Sequence, residues 1–166
     1  GLARDEEMKF AKAMGIQMSR LVSPYSIDQN LWGRSIECGP LENPEKEPLE
    51  EIFEWTVSPE KAPDKPEYVI IEFEGGIPCA INGENLDPVS LIQTLNKTAG
   101  KHGVGRIDHI EDRLVGIKSR EIYECPAALV LLKAHQDLEK MVLTRHENLF
   151  KPQVEAQWTF LAYTGL

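Results

Sequence analysis

Glu111 and Tyr123 lie in a stretch, residues 96–126, that packs four glycines and a dense mixture of both charge signs between two apolar helix patterns. That is more polar chemistry than a connection between helices requires, and it reads as a binding surface. Glu111 offers a carboxylate of the kind an ammonium seeks. Tyr123, with Ser26 and Ser35 upstream, offers hydroxyls suited to a ligand carboxylate or carbonyl. These are the group types that match a free amino acid. Spacing alone equally allows a surface acid, two turn serines satisfying local carbonyls and a packed tyrosine.

The run Gly100-Lys-His-Gly-Val-Gly-Arg106 invites a phosphate-cradle reading and fails it. A P-loop needs two glycines bracketing four residues, followed by Lys-Ser or Lys-Thr, and the dinucleotide fingerprint has a different spacing. The glycines are read as turn residues: Gly103 and Gly105 permit angles that other residues reach only at a cost. Gly100 falls where a left-handed cap would stop a helix carrying Leu91, Ile92, Leu95 and Ala99. From Arg106 the chain reads as a strand with Ile107, His109, Glu111 and Arg113 on one face and Asp108, Ile110, Asp112 and Leu114 on the other. Carboxylates on both faces fit a sheet edge or a polar cleft. Pro126 suits the first turn of the next helix, with Tyr123 and Glu124 near its positive end.

Gly-Lys-His-Gly-Val-Gly-Arg-Ile-Asp at 100–108 and Gly-Ile-Lys-Ser-Arg-Glu-Ile-Tyr-Glu-Cys-Pro at 116–126 resemble the synthetase-domain signature of the argininosuccinate synthases. Further matches, in the family's order, are Pro-Tyr-Ser-Ile-Asp-Gln-Asn-Leu-Trp-Gly-Arg-Ser-Ile-Glu-Cys-Gly at 24–39 and Phe-Glu-Trp-Thr-Val-Ser-Pro-Glu-Lys-Ala-Pro at 53–63. The resemblance implies part of a cytoplasmic, ATP-dependent carbon-nitrogen ligase of arginine biosynthesis, which activates citrulline as an adenylate and joins it to aspartate. By that resemblance Ser26, Ser35, Glu111 and Tyr123 contact citrulline, while no catalytic residue or metal ligand is assigned. The family's Ser-Gly-Gly-x-Asp-Thr-Ser type pyrophosphate loop is missing, and so is the segment that holds aspartate. ATP with magnesium is therefore expected of the full enzyme and not of this chain alone, which is expected to be inactive by itself. A homotetramer is implied as well. The competing reading is a non-catalytic assembly module whose last two helices mediate self-association.

Composition bounds both readings. The 166 residues are 42% hydrophobic and 27% charged, as in globular proteins, and suffice for one ordinary core. A net charge of -9 argues against a nucleic-acid or anionic-membrane partner. Cys38, Cys79 and Cys125 are odd in number and widely spaced, as suits a reduced setting. Four histidines without ligand-like spacing argue against structural zinc. No apolar run approaches the roughly 18 residues of a membrane span, and no basic-then-apolar signal opens the chain.

The expected fold is α+β: a mostly antiparallel sheet, formed by a hairpin and the 106–115 strand and covered by helices starting near Pro88, Pro126 and Pro152. A short βα remnant of a nucleotide-binding domain, residues 1–22, should precede an incomplete synthetase domain, 23–166. A helix over 4–14 stopped by Gly15 and a strand at 16–19 make up that remnant. Ser26 and Ser35 are placed in irregular backbone. Residues 39–66 carry six prolines yet hold Leu49, Ile52, Phe53, Trp55 and Val57, so a long loop pinned by Phe53 and Trp55 is expected. Val69, Ile71 and Phe73 alternate before Glu74-Gly75-Gly76, a hairpin signal, and Pro78 puts the return strand, or its start, at an edge. Asp87-Pro88 starts a helix to about Ala99. The longest helix is expected over 127–145, with its first half in the core, and a last helix over 148–166 should turn Val154, Trp158, Leu161 and Ala162 inward.

Overall fold

The computed structural model describes residues 4–16 and 23–166. Helix α1 (Arg4–Ala13) ends ahead of Gly15, which sits at φ +69. The strand expected at 16–19 falls, apart from Ile16, outside the described residues. The body is α+β with two antiparallel sheets.

The first sheet has the order β1-β2-β7-β6, formed by β1 (Ser26–Gln29), β2 (Arg34–Glu37), β7 (Lys118–Glu124) and β6 (Arg106–Asp112). The second has the order β3-β4-β5, formed by β3 (Ile71–Glu74), β4 (Ile77–Ile81) and β5 (Glu84–Asn85). The hairpin and the 106–112 strand thus lie in separate sheets, where one sheet was expected. Each sheet has its own core. Helices α2 (Pro88–Lys101) and α3 (Pro126–Val142) bury Leu91, Ile92, Leu95, Ala127 and Leu131 against Ile81, with Val69, Ile71 and Phe73 packed around them. The four-stranded sheet instead buries Ile36 and Ile122 against Tyr25, Leu41 and Ile52 from the proline-dense segment. Each such side chain is worth roughly 1.5–3 kcal/mol when removed from water. A loop therefore replaces a helix as the cover of this sheet.

Local sequence explains most boundaries. Asp87 caps α2 by accepting from the amides of Val89 and Ser90, with Pro88 at the first helical position. Gly75 and Gly76, both at positive φ, make the β3–β4 turn. Pro78 lies in the central strand of its sheet, but in the half of β4 that β5 does not reach, since β5 pairs only Ala80 and Ile81. Gly100 does not end α2. The helix runs through Lys101, and Gly103 at φ +72 takes the left-handed position. Ser26 and Ser35 are not in irregular backbone either: Asn30 Oδ1 accepts from the amides of Trp32 and Gly33, and this turn joins β1 to β2.

The longest helix is α4 (Arg145–Thr164), not the one before it. Thr144 and Glu147 form a capping box at its start, which sets the boundary ahead of Pro152. Its inward-facing set is absent: α4 has no buried residue, and Trp158 is 70% exposed. Exposed α4 contributes to an accessible surface of 12424 Å², against about 8,300 Å² for a compact monomer of this size. Among the described residues, no helix is long and apolar enough to cross a membrane.

Candidate functional site

Residues directly opposite in a ladder share a face, and faces alternate along each strand. Ser26 pairs with Glu37, and Ser35 with Asp28 on one side and Tyr123 on the other. Tyr123 in turn pairs with Ile107, and Glu111 with Ser119. All four residues singled out in the sequence therefore stand on one face, one from each of four adjacent strands. The opposite face carries Ile36 and Ile122 into the core. At about 4.8 Å per strand, β1 and β6 are roughly 14 Å apart. Glu111 and Tyr123 touch, with the phenol hydroxyl 2.6 Å from Glu111 Oε1. The serines lie toward the other edge of the sheet, so the set spans an elongated strip.

The structure adds residues that the sequence reading omitted. The Tyr123 hydroxyl is also 2.5 Å from Glu121 Oε2. Arg113, just past β6, donates through Nη2 to Glu37 Oε2 at 2.5 Å and to Glu121 Oε1 at 3.0 Å, and through Nε to Ser119 Oγ at 3.1 Å. The Ser119 hydroxyl donates to Glu121 Oε1 at 3.0 Å. His109 Nε2 is 3.4 Å from Glu111 Oε1, and its ring leans on Tyr123 with centroids 5.4 Å apart. The same two-residue alternation that grouped His109 with Glu111 would have found Glu37 beside Ser35 and Glu121 beside Tyr123.

The Arg113 guanidinium thus bridges two carboxylates, Glu37 and Glu121, while Asp28 and Glu111 share the face, and the strip keeps an excess of negative charge. Burial, then the charge of Glu121, pushes the Glu37 carboxyl up, against the pull of Arg113. Burial also opposes ionisation of Glu121, but the hydrogen bonds from Tyr123, Arg113 and Ser119 outweigh it and hold its carboxyl below the usual range. Burial, followed by Glu111 and Glu121, pushes the Tyr123 phenol well above its ordinary value. Tyr123 therefore acts as a neutral donor. An open cavity of about 420 Å³ flanks Glu111 at the β6 edge and reaches Tyr163 of α4.

The glycine run is used for packing. A Cβ on Gly100 would sit 2.0 Å from the Trp55 carbonyl oxygen, and one on Gly105 2.6 Å from Pro126 Cγ. The amides that a phosphate would need are committed in part: His102 and Gly103 donate to Ala99 and Gly100 carbonyls. These residues do not fit a nucleotide phosphate cradle.

The fold and this face define the chain as an α+β domain whose antiparallel sheet presents carboxylates and hydroxyls over a loop-covered core. It belongs to the argininosuccinate synthase family: residues 25–166 match the model described as "Arginosuccinate synthase C-terminal domain". Similar curated proteins are named argininosuccinate synthase. They include those of Pyrococcus furiosus, 62% identical over 99% of this chain and 40% of the relative, and Methanopyrus kandleri, 58% identical over 99% and 42%. That of Streptococcus suis is 60% identical over 99% and 42%. The chain spans about two fifths of the length of these relatives.

Proposed function

We propose that this chain is part of an argininosuccinate synthase, an ATP-dependent ligase that joins citrulline to aspartate through a citrullyl-adenylate, and that it supplies the citrulline side of the site. The observation that carries the reading is the gathering of Ser26, Ser35, Glu111 and Tyr123 on one polar sheet face in a member of this family. Citrulline is an elongated amino acid with a cation near one end, which suits an elongated strip that offers carboxylates, Glu111 among them, together with the hydroxyls of Tyr123, Ser35 and Ser26. Glu111 accepts from the ammonium, and the hydroxyls of Tyr123, Ser35 and Ser26 serve the remaining polar groups. Fixing the substrate this way makes the ureido group's encounter with a nucleotide effectively unimolecular.

In this reading residues 23–166 belong to the synthetase domain and 1–22 to the end of the nucleotide-binding domain. ATP, its magnesium and aspartate are held by parts of the polypeptide outside this chain, which alone is inactive. The complete enzyme is a cytoplasmic homotetramer. The exposed Phe150, Val154, Trp158 and Leu161 of α4 favour a helix that is covered in the assembly, and keep the alternative of a purely assembly-forming module in view.

Calorimetric titration of citrulline into a complete synthetase polypeptide containing this chain tests the reading. Binding that weakens at least tenfold in Glu111→Gln is expected, about 1.4 kcal/mol or more. Unchanged affinity would remove Glu111 from the site, and absence of binding in the parent protein would favour the assembly module.

A further inference from the structure

Tyr123 has one hydroxyl proton, and two carboxylates lie within reach of its oxygen, Glu111 at 2.6 Å and Glu121 at 2.5 Å. The proton serves one of them at a time. If it goes to Glu111, it takes up part of the acceptor capacity of Oε1 and weakens that carboxylate for a ligand's cation. Resting on the amino-acid reading above, we infer that Arg113 is a positioning residue that commits the Tyr123 proton to Glu121 and so leaves Glu111 open to the ligand's ammonium.

The fork of Arg113 is built for that division. Its backbone is fixed by the β6–β7 turn, where its amide donates to Ile117 O at 3.0 Å and its carbonyl accepts from Gly116 at 2.8 Å. From there Nη2 bridges Glu37 and Glu121, while Nε orients the Ser119 hydroxyl, which itself donates to Glu121. Arg113 and Ser119 both feed Oε1 of Glu121, and Oε2 is left to the phenol. Among the described residues Glu111 has no guanidinium partner; besides the phenol, the His109 ring lies 3.4 Å away.

Removing the guanidinium changes the proton count. Glu37 and Glu121 are direct cross-strand partners, and two carboxylates so placed come to share a proton when no cation separates them. Once Glu121 shares that proton it draws the phenol less strongly, and the phenol proton turns to Glu111 and competes there with the ligand's ammonium. The other charged or titrating groups on this face are Asp28 on β1 and His109 and Glu111 on β6, with Tyr163 of α4 beside the β6 edge. Lys118 and Arg120 belong to the opposite face, paired with Asp112 and Asp108.

The experiment is citrulline calorimetry between about pH 8 and about pH 6, on a complete synthetase polypeptide containing this chain, as parent, Arg113→Met and Arg113→Lys. The quantity read is the ratio of variant to parent dissociation constants, in which changes of charge on His109, common to all, cancel. For Arg113→Met the ratio is expected to rise about twofold or more from the high to the low pH, as the proton that two neighbouring carboxylates share is taken up. Arg113→Lys, which keeps the charge without the fork, should give a ratio that stays level. A level ratio for Arg113→Met overturns the inference, whatever its offset. Ser119→Ala removes only the relay hydroxyl and gives the same test with little threat to folding: a smaller rise is expected, and a level ratio counts against the idea. No citrulline binding by the parent overturns the amino-acid reading itself, which separates the two failures.

Discussion

Arg34 and Glu124 stand directly across from one another in the β2–β7 ladder, both buried, with Arg34 Nη1 3.1 Å from Glu124 Oε2. The next pair along is Ser35 and Tyr123, which face the other way. One ladder step therefore carries a buried ion pair into the core and the following step carries two candidate ligand contacts to the surface. Glu124 is completely buried and also accepts from the amides of Glu54, Trp55 and Thr56 and from the Thr56 hydroxyl. A carboxylate ringed by donors is what holds the loop against the sheet.

Glu124→Ala should destabilise the fold by about 3–5 kcal/mol, because it removes the buried partner of Arg34, which keeps only the exposed Glu54 at 2.9 Å and the Ile52 carbonyl, and strips the loop amides of their acceptor. Urea denaturation reads this directly. A loss below about 1 kcal/mol would mean that the loop is held by Leu41, Ile52 and Phe53 alone.

Gly100→Ala reverses an ordinary expectation. Inside a helix, alanine in place of glycine gains about 1 kcal/mol. Here the added methyl would lie 2.0 Å from the Trp55 carbonyl, close to where the Val57 amide bonds Gly100 O at 3.1 Å. The melting temperature should fall, with a net cost of about 1–3 kcal/mol from overpacking. A rise would show that the loop gives way freely.

Asp108 and Arg120 form a two-pronged pair on the opposite face of the sheet, at 2.9 and 2.7 Å. The Arg120 hydrogen bond, acting against burial, holds the Asp108 carboxyl below its ordinary 3.8. A depressed carboxylate contributes stability above the unfolded value and loses it as pH falls through the folded one. The stability gap between the parent and Asp108→Asn should be present at neutral pH, under about 1 kcal/mol for so exposed a group. It should close as the solution is taken well below pH 3.8. A gap that persists in acid would mean the pair acts through shape instead of charge.

Tyr123 should stay protonated when ordinary tyrosines ionise near about pH 10. Spectroscopic titration of Tyr123→Phe is expected to give the same tyrosinate amplitude as the parent up to about pH 11, although one of the four tyrosines has gone. Loss of a quarter of the signal would show the phenol to be free of its two carboxylates.

Much of this was legible in the sequence. The alternation that put Ile107, His109 and Glu111 on one face is the observed one, and β6 is both a sheet edge and part of a polar face, the two options its charges allowed. Asp87-Pro88 and Gly75-Gly76 spoke through local backbone chemistry. The strands holding Ser26 and Ser35 did not. Ser-Ile-Asp-Gln and Arg-Ser-Ile-Glu each show one apolar residue in four, and their sheet membership comes from pairing: β2 docks on the distant β7 and β1 is added to β2. The inward face assigned to α4 failed for a related reason. Its periodicity marks a surface that can be covered, and no described element covers it.

The four-strand placement of the candidate contacts has a consequence for assembly errors. If β7 docked one residue out of step, Tyr123 would turn toward the oily interior and Ile122 toward water in a single move. Ligand recognition and folding would then fail together, so a misregistered molecule would be exposed to proteolysis before it could persist as a stable but deaf protein.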